Sequence, residues 1–163
     1  MVGSIIHSTG VDYLNPKIPL RGLLSIILRS HRVFISRELE DMNLTDAQVA
    51  CILRVNHRPG VTQDELAWFF QVDKGTIART IRRLEDRGFL NRKQDPDNRR
   101  RYMLSLTEKG RQAIPIIMDA ERKWAELLFR NMTMEEQEAF IRMCQRLAEE
   151  AMEIRRIEDD RRR

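Results

Sequence analysis

What the 163-residue chain has little of narrows its class first. Its two cysteines, Cys51 and Cys144, stand far apart inside helical patterns. They have neither metal-ligand spacing nor the even framework of a disulfide scaffold. A reduced, cytoplasmic protein is the expectation from that usage. Seven glycines, five prolines and 6% aromatic residues disfavour a β-sandwich and favour helices. No signal peptide is expected. The most apolar run, Leu20 to Ile35, is broken by Arg21, Arg29, His31 and Arg32, so it is not a membrane span. Signatures of catalysis are missing as well. His7, His31 and His57 are scattered, and no serine or cysteine nucleophile has an evident base. There is no Gly-rich phosphate loop and no H-E-x-x-H pair. Neither an enzyme nor a cofactor or metal is expected.

What is present suits one compact domain: 42% of residues are apolar and 33% charged. The net charge of +4 is modest but unevenly placed. Between Lys74 and Arg101 stand ten Lys/Arg against four Asp/Glu, so the rest of the chain is slightly acidic. A basic stretch of this kind is the electrostatic footprint of a nucleic-acid contact.

Thr62 to Gly110 reads as a helix, a tight turn, a second helix and a β-hairpin with a basic tip. Thr62 and Glu65 form a capping box that starts the first of these helices, and Leu66, Ala67 and Phe70 supply its inner face. Only Gln71 and Val72 separate it from Asp73, the N-cap of the next helix. Two helices joined so tightly cross steeply, as in a helix-turn-helix. Ile77, Ile81 and Leu84 then mark one buried stripe. Lys74, Gly75, Thr76, Arg79, Thr80, Arg82 and Arg83 supply the polar, arginine-rich remainder, which suits either a solvated face or DNA. Gly88 ends the helix. Phe89 to Lys93 and Tyr102 to Leu106 alternate as strands, with Leu90, Tyr102, Leu104 and Leu106 inward. Gln94 to Asn98 is built of turn formers. Asp97, Asn98, Arg99, Arg100 and Arg101 make a hairpin tip suited to a phosphate backbone or a minor groove.

Upstream, Leu20 to roughly Met42 is helical, and its embedded Arg29, His31 and Arg32 either snorkel or pair at the surface. Thr45 and Gln48 form another capping box, opening a helix that ends before Pro59-Gly60 and holds Cys51 as an inert thiol. Downstream, Thr107 caps a long helix towards Arg130. Ala113, Ile117, Ala120, Trp124 and Leu127 form its seam, and a bend is expected at Pro115. Thr133 and Glu136 cap a last helix carrying Phe140, Cys144, Leu147 and Ala151. The charged segment Arg155 to Arg163 is expected to fray.

The run D-K-G-T-I-A-R-T-I-R-R-L-E-D-R-G-F-L followed by D-P-D-N-R-R-R-Y-M-L-S-L-T-E-K-G resembles the MarR family of winged-helix transcription regulators. That family's wing signature, Asp-x-Arg then Leu-Thr-x-x-Gly, is matched by Asp97, Arg99, Leu106, Thr107 and Gly110. The resemblance covers roughly Pro19 to Met152. It implies a mainly α fold with a small hairpin wing, dimerising through its N- and C-terminal helices. The first and last helices also carry more apolar stripe than one small winged helix can cover, and a half-site reader gains affinity from a second copy. The expected organisation is an arm (1–19), an N-terminal dimerisation helix (20–44), a winged helix-turn-helix (45–110), and C-terminal dimerisation helices with a charged tail (111–163).

The implied function is a regulator, taken as a repressor, of a pseudo-palindromic operator in double-stranded DNA. The family implies a small aromatic or anionic effector, with Arg21, His31 and Trp68 as candidate contacts, each also open to a purely structural role. Two alternatives stay open: a cysteine-based oxidant sensor on the same fold, or a winged helix used to bind protein. Family members of the first type carry a reactive cysteine in the first helix, and this chain has none there.

Overall fold

A computed structural model of the chain describes residues 18–95, 98 and 101–161. The arm expected before Pro19 therefore lies almost wholly outside the described residues, as do Asp97, Arg99 and Arg100 of the hairpin tip. The described elements run α1 (Leu20–Glu38), a 3-10 turn (Glu40–Met42), α2 (Asp46–His57), α3 (Gln63–Phe70), α4 (Lys74–Asp86), β1 (Leu90–Gln94), β2 (Tyr102–Leu106), α5 (Glu108–Leu128) and α6 (Met134–Arg161). The mainly helical fold with one antiparallel hairpin is as expected. The chain forms two compact units, the first ending at Glu121 and the second starting at Arg122, within α5.

The helix starts are set by the predicted caps. Thr45 and Thr62 each close a reciprocal capping box, with the N-cap backbone N–H donating to Gln48 Oε1 at 2.9 Å and to Glu65 Oε2 at 2.8 Å. Losing such a cap costs about 1 kcal/mol. Gly88, at φ +73°, ends α4: its N–H donates to Glu85 O, and Phe89 N–H donates to Leu84 O. That paired closure needs a left-handed residue, which glycine supplies without strain.

The first unit packs around Ile35, Leu39, Ile52, Val55, Leu66, Ile81, Leu84, Leu90, Leu104 and Ile117, all essentially buried. Burying each Leu or Ile side chain contributes roughly 1.5–3 kcal/mol. Arg54 joins α2 to α3 differently. Its guanidinium lies 3.8 Å from the Phe69 ring centroid, and its Nε is buried without a hydrogen bond, so the ring face is its partner.

Three expectations are corrected. First, α1 stops at Glu38 rather than near Met42. Leu39 must turn into the core, and the 3-10 turn with Asn43 at φ +46° redirects the chain to do so. Arg87 then donates to Met42 O and Asn43 O at 2.5 and 2.6 Å, using a basic residue as a structural clamp. Second, Tyr102 is 44% exposed. It has the inward parity of Leu104 but lies beyond the edge of the core, opposite Gln94, with the Arg92 guanidinium 5.7 Å from its ring. Third, the terminal segment does not fray at Arg155, because α6 continues to Arg161. Pairs one turn apart, Arg155–Asp159, Arg156–Glu153 and Arg161–Glu158, support it. The hairpin itself is two-stranded as expected, and residues 60–62 bond to its second strand. Gly60 N–H donates to Leu104 O, Leu104 N–H donates to Val61 O, and Thr62 bridges to Met103.

The Leu-Thr-x-x-Gly signature has a steric cause. Thr107 Oγ1 donates to Gly88 O at 2.6 Å and accepts Gly110 N–H at 3.0 Å, pinning the start of α5 to the end of α4. Gly110 is then so close to the chain that a Cβ there would sit 2.2 Å from Phe89 O. Gly110→Ala should therefore destabilise the fold by about 1–3 kcal/mol in urea unfolding, at the level of other overpacked cores. An unchanged midpoint would remove this explanation of the glycine.

Candidate nucleic-acid interface

The helix-turn-helix is built by α3, the Gln71–Val72 turn and α4. Gln71 adopts φ +54°, and Val72 N–H donates to Ala67 O at 3.1 Å, so the turn is closed by backbone alone. Ile77, Ile81 and Leu84 of α4 are buried, which fixes its rotation about its own axis. Lys74, Gly75, Arg79, Arg82 and Arg83 are consequently exposed, with Thr76 and Thr80 half-buried. Thr80 Oγ1 donates back to Thr76 O at 3.0 Å. Lys74 pairs with Asp64 of α3 at 3.1 Å.

A short network occupies the start of α4. Asp73 Oδ1 accepts Thr76 N–H at 2.8 Å, and Asp73 Oδ2 accepts the Thr76 hydroxyl at 2.5 Å. Arg79 Nη2 in turn donates to Thr76 Oγ1 at 2.9 Å. These contacts, the Thr76 hydroxyl first, then its N–H and the Arg79 charge, hold the exposed Asp73 carboxyl below its ordinary value.

At the hairpin, Asn98 is exposed, and the tip is closed by Asp95 N–H to Arg101 O and Arg101 N–H to Asn98 O. Arg101 is not simply aimed at solvent: its guanidinium lies 3.5 Å from Glu65 Oε2. The same carboxylate accepts Thr62 N–H and the Thr62 hydroxyl, and it pairs with Arg58 at 3.3 Å. The Thr62 N–H, followed by its hydroxyl and the two arginines, lowers the Glu65 carboxyl below its usual range. Asp97, Arg99 and Arg100 lie outside the described residues.

Sequence reasoning missed Arg58, Asp64 and the second role of Glu65. Glu65 was visible only as a cap, because a pair between residues 65 and 101 leaves no spacing signature. Arg87 and Arg92 were counted within the basic stretch, yet one clamps backbone carbonyls and the other pairs with Glu85 at 3.2 Å.

The three effector candidates are dispersed. Arg21 is exposed near the start of α1, and ten residues of helix place it about 15 Å along the axis from His31. His31 Nε2 lies 2.9 Å from Glu121 Oε2, and its Nδ1 lies 3.6 Å from Asp46 Oδ1. Trp68 is exposed on α3. A cavity of about 660 Å³ beside α1 and α2 is lined by Arg32, Ser36, Glu40 and Asp46 among others, and by none of the three candidates. Among the described residues, no group of His, Cys, Asp and Glu is arranged to hold a metal, and no helix is long and apolar enough to cross a membrane.

Comparison with known proteins gives this arrangement its context. The MarR family model matches residues 44–102, from just after the 3-10 turn to the start of β2. The HTH-type transcriptional regulator YybA of Bacillus subtilis strain 168 is 30% identical over 124 residues, spanning 76% of this chain and 83% of that protein. A MarR crystal structure superposes with a TM-score of 0.83 at 62% identity, covering 87% of this chain and 97% of the other. A MarR family regulator from Listeria monocytogenes, solved with a 26mer DNA, superposes with a TM-score of 0.77 at 25% identity, covering 84% and 91% of the two chains. The Bacillus subtilis and Listeria monocytogenes relatives are named as transcriptional regulators. With the helix-turn-helix and hairpin in place, the matches establish that this chain belongs to the MarR family of winged-helix transcription regulators.

Proposed function

We propose that the protein represses transcription by binding a pseudo-palindromic operator as a homodimer, with α4 in the major groove and the hairpin tip against the minor groove. One observation carries this reading. Burial of Ile77, Ile81 and Leu84 leaves the arginines of α4 facing outward, on a fold shared with a relative solved with DNA. Arginine bonds guanine O6 and N7 in a bidentate manner, so Arg79 and Arg83 suit base reading, with Lys74, Gly75, Thr76, Thr80 and Arg82 beside them. Asp97 to Arg101 would grip the narrower groove, where positive charge counts more than base pattern. Residues 45–110 form the DNA-binding region in this scheme, and 20–44 and 111–163 the dimerisation regions.

Self-association is supported by unpartnered apolar side chains on each unit. Leu20, Leu23, Leu24 and Leu28 of α1 are between 41% and 63% exposed, and Ile141, Leu147, Ile154 and Ile157 of α6 between 43% and 61%. So many large apolar groups on one chain mark a contact surface. A dimer would also present two copies of α4, matching operator symmetry. A chain truncated after Arg130 should be insoluble or monomeric and bind DNA poorly. A truncated chain that sediments as a dimer with full affinity would defeat this part of the proposal.

Direct reading and backbone grip can be separated. Arg79→Ala should cost about 1–3 kcal/mol on the operator and flatten the preference among single-base variants. Arg99→Ala should weaken operator and random duplex alike and lower the salt slope by about one unit. Titrations on operator, variants and random DNA at several salt concentrations decide it. Equal losses on every DNA for Arg79→Ala would reduce α4 to a phosphate contact.

The thiol-sensor alternative fares worse. Cys51 is buried, and burial pushes its thiol up to about 12, so the reactive thiolate is disfavoured at neutral pH. With the half-buried Cys144 replaced by serine, peroxide treatment should leave operator binding unchanged, and aromatic disulfide reagents should label Cys51 only after urea is added. Rapid labelling of Cys51 in the native protein, with loss of DNA binding, would restore the sensor reading.

Release by a small effector is the finer part of the proposal and rests on the family resemblance and the cationic groups of α1. An aromatic carboxylate arriving at His31 must displace Glu121 or Asp46, so affinity should be weak. Salicylate should loosen operator binding at high micromolar to millimolar concentrations. Calorimetry without heat of binding, and an unmoved operator titration, would count against it.

A further inference from the structure

The network at the start of α4 does more than cap a helix. Resting on the reading of α4 as the base-reading element, we infer that Asp73 is a positioning residue for base discrimination. Through the Thr76 hydroxyl it holds the Arg79 guanidinium at the N-terminal end of the helix. A capping carboxylate needs only a backbone N–H, and Asp73 Oδ1 has that from Thr76 at 2.8 Å. Its second oxygen is used elsewhere, accepting the Thr76 hydroxyl at 2.5 Å. The direction of the chain is then settled by chemistry. A carboxylate only accepts and a guanidinium only donates, so the single Thr76 proton goes to Asp73 and its oxygen receives Arg79 Nη2 at 2.9 Å.

Gly75 makes room for this arrangement. A Cβ there would stand 3.1 Å from Asp73 Oδ1 and 3.4 Å from Arg79 Nη1, so both groups lean over the same bare backbone. Helical side chains tilt towards the N-terminus, which lets a guanidinium rooted at residue 79 reach the level of residue 76. In helix-turn-helix docking it is the N-terminal part of the second helix that meets base edges. The relay therefore carries the guanidinium to the end of α4 where it is needed and fixes its orientation before DNA arrives. An arginine left free would lose rotamer entropy on binding, and holding it beforehand reduces that loss. Asp73 itself, as an acid beside a polyanion, should oppose general DNA affinity. Its contribution is selectivity at the expense of grip.

The opposite signs on specific and general binding supply the test. Asp73→Ser keeps an equally good N-cap but shortens the side chain and removes the charge. Thr76→Val keeps the cap on the residue 76 backbone and removes only the hydroxyl of the relay. Both are measured beside wild type, Arg79→Ala and the two double variants, on operator, all single-base variants and random duplex. The base pair read by Arg79 is the one whose preference Arg79→Ala flattens. At that base pair each single variant should lose about tenfold in discrimination, the scale of one well-oriented bidentate contact, and Asp73→Ser should keep its preference elsewhere. Asp73→Ser should bind random duplex as tightly as wild type or more tightly, with unchanged helicity and thermal midpoint. In the Arg79→Ala background neither substitution should reduce discrimination further. Full discrimination in both single variants, or losses that persist without Arg79, would overturn the inference while leaving base reading by α4 intact. If Arg79→Ala flattens no base preference, the reading of α4 and this inference fall together. If Asp73→Ser unfolds α4, Thr76→Val alone decides.

Discussion

Everything at the candidate interface depends on one constraint: α4 must bury one apolar stripe and only one. Ile77, Ile81 and Leu84 are each no more than 3% exposed, so rotating the helix would move three large side chains into water. At roughly 1.5–3 kcal/mol per side chain, that resistance exceeds any gain from individual surface charges. The arginine face is outward because the isoleucine face is inward. Its chemistry is set by the sequence of the exposed positions and its direction by the core.

A helix fixed in rotation must also be fixed in position, and the joints at its two ends do this by different means. At the C-terminal end, Gly88 turns the chain, Thr107 bonds its carbonyl, and Gly110 allows α5 to close against Phe89. Arg87 ties the same end to the turn after α1. At the N-terminal end, a backbone-closed turn joins α4 to α3, and the start of α3 is braced against the hairpin. Glu65 accepts from Thr62 and faces both Arg58 and Arg101, while residues 60–62 pair with β2. The tip half of the hairpin and the start of α3 are thus one mechanical piece. The carboxylate at its centre serves a capping box and two cations at once, an economy that also makes the piece sensitive to acid. The Glu65 carboxyl is lowered in the fold, so its contribution is complete above the ordinary glutamate range and fades as pH falls through the lowered value.

Local signals are legible in the sequence. Capping boxes, N-cap Asp73, the Gly88 stop and the period of α4 are written in neighbouring residues, and each stands where its spacing places it. Features that depend on partners far along the chain were not legible. The end of α1 is decided by where Leu39 must go, Tyr102 by how far the core extends, and the path of residues 60–62 by pairing with β2. The persistence of α6 to Arg161 is not legible locally, because alternating charge reads equally as a solvated tail or as a ladder of one-turn ion pairs. At the interface, composition identified the basic stretch but could not divide it. Arg87 and Arg92 belong to the scaffold, Arg101 is shared with Glu65, and Arg79 is the one engaged by Thr76.

Base reading by α4 is tested most directly on the DNA. Replacing a guanine by 7-deazaguanine removes the N7 acceptor in the major groove while leaving Watson–Crick pairing and the minor groove unchanged. With the operator located by footprinting, each guanine is replaced in turn and binding is measured for the wild-type protein and for Arg79→Ala. Symmetry-related guanines in the two half-sites should weaken wild-type binding when replaced and leave the Arg79→Ala variant unaffected. Wild-type affinity at every substituted guanine, or equal losses in both proteins, would contradict major-groove reading by Arg79.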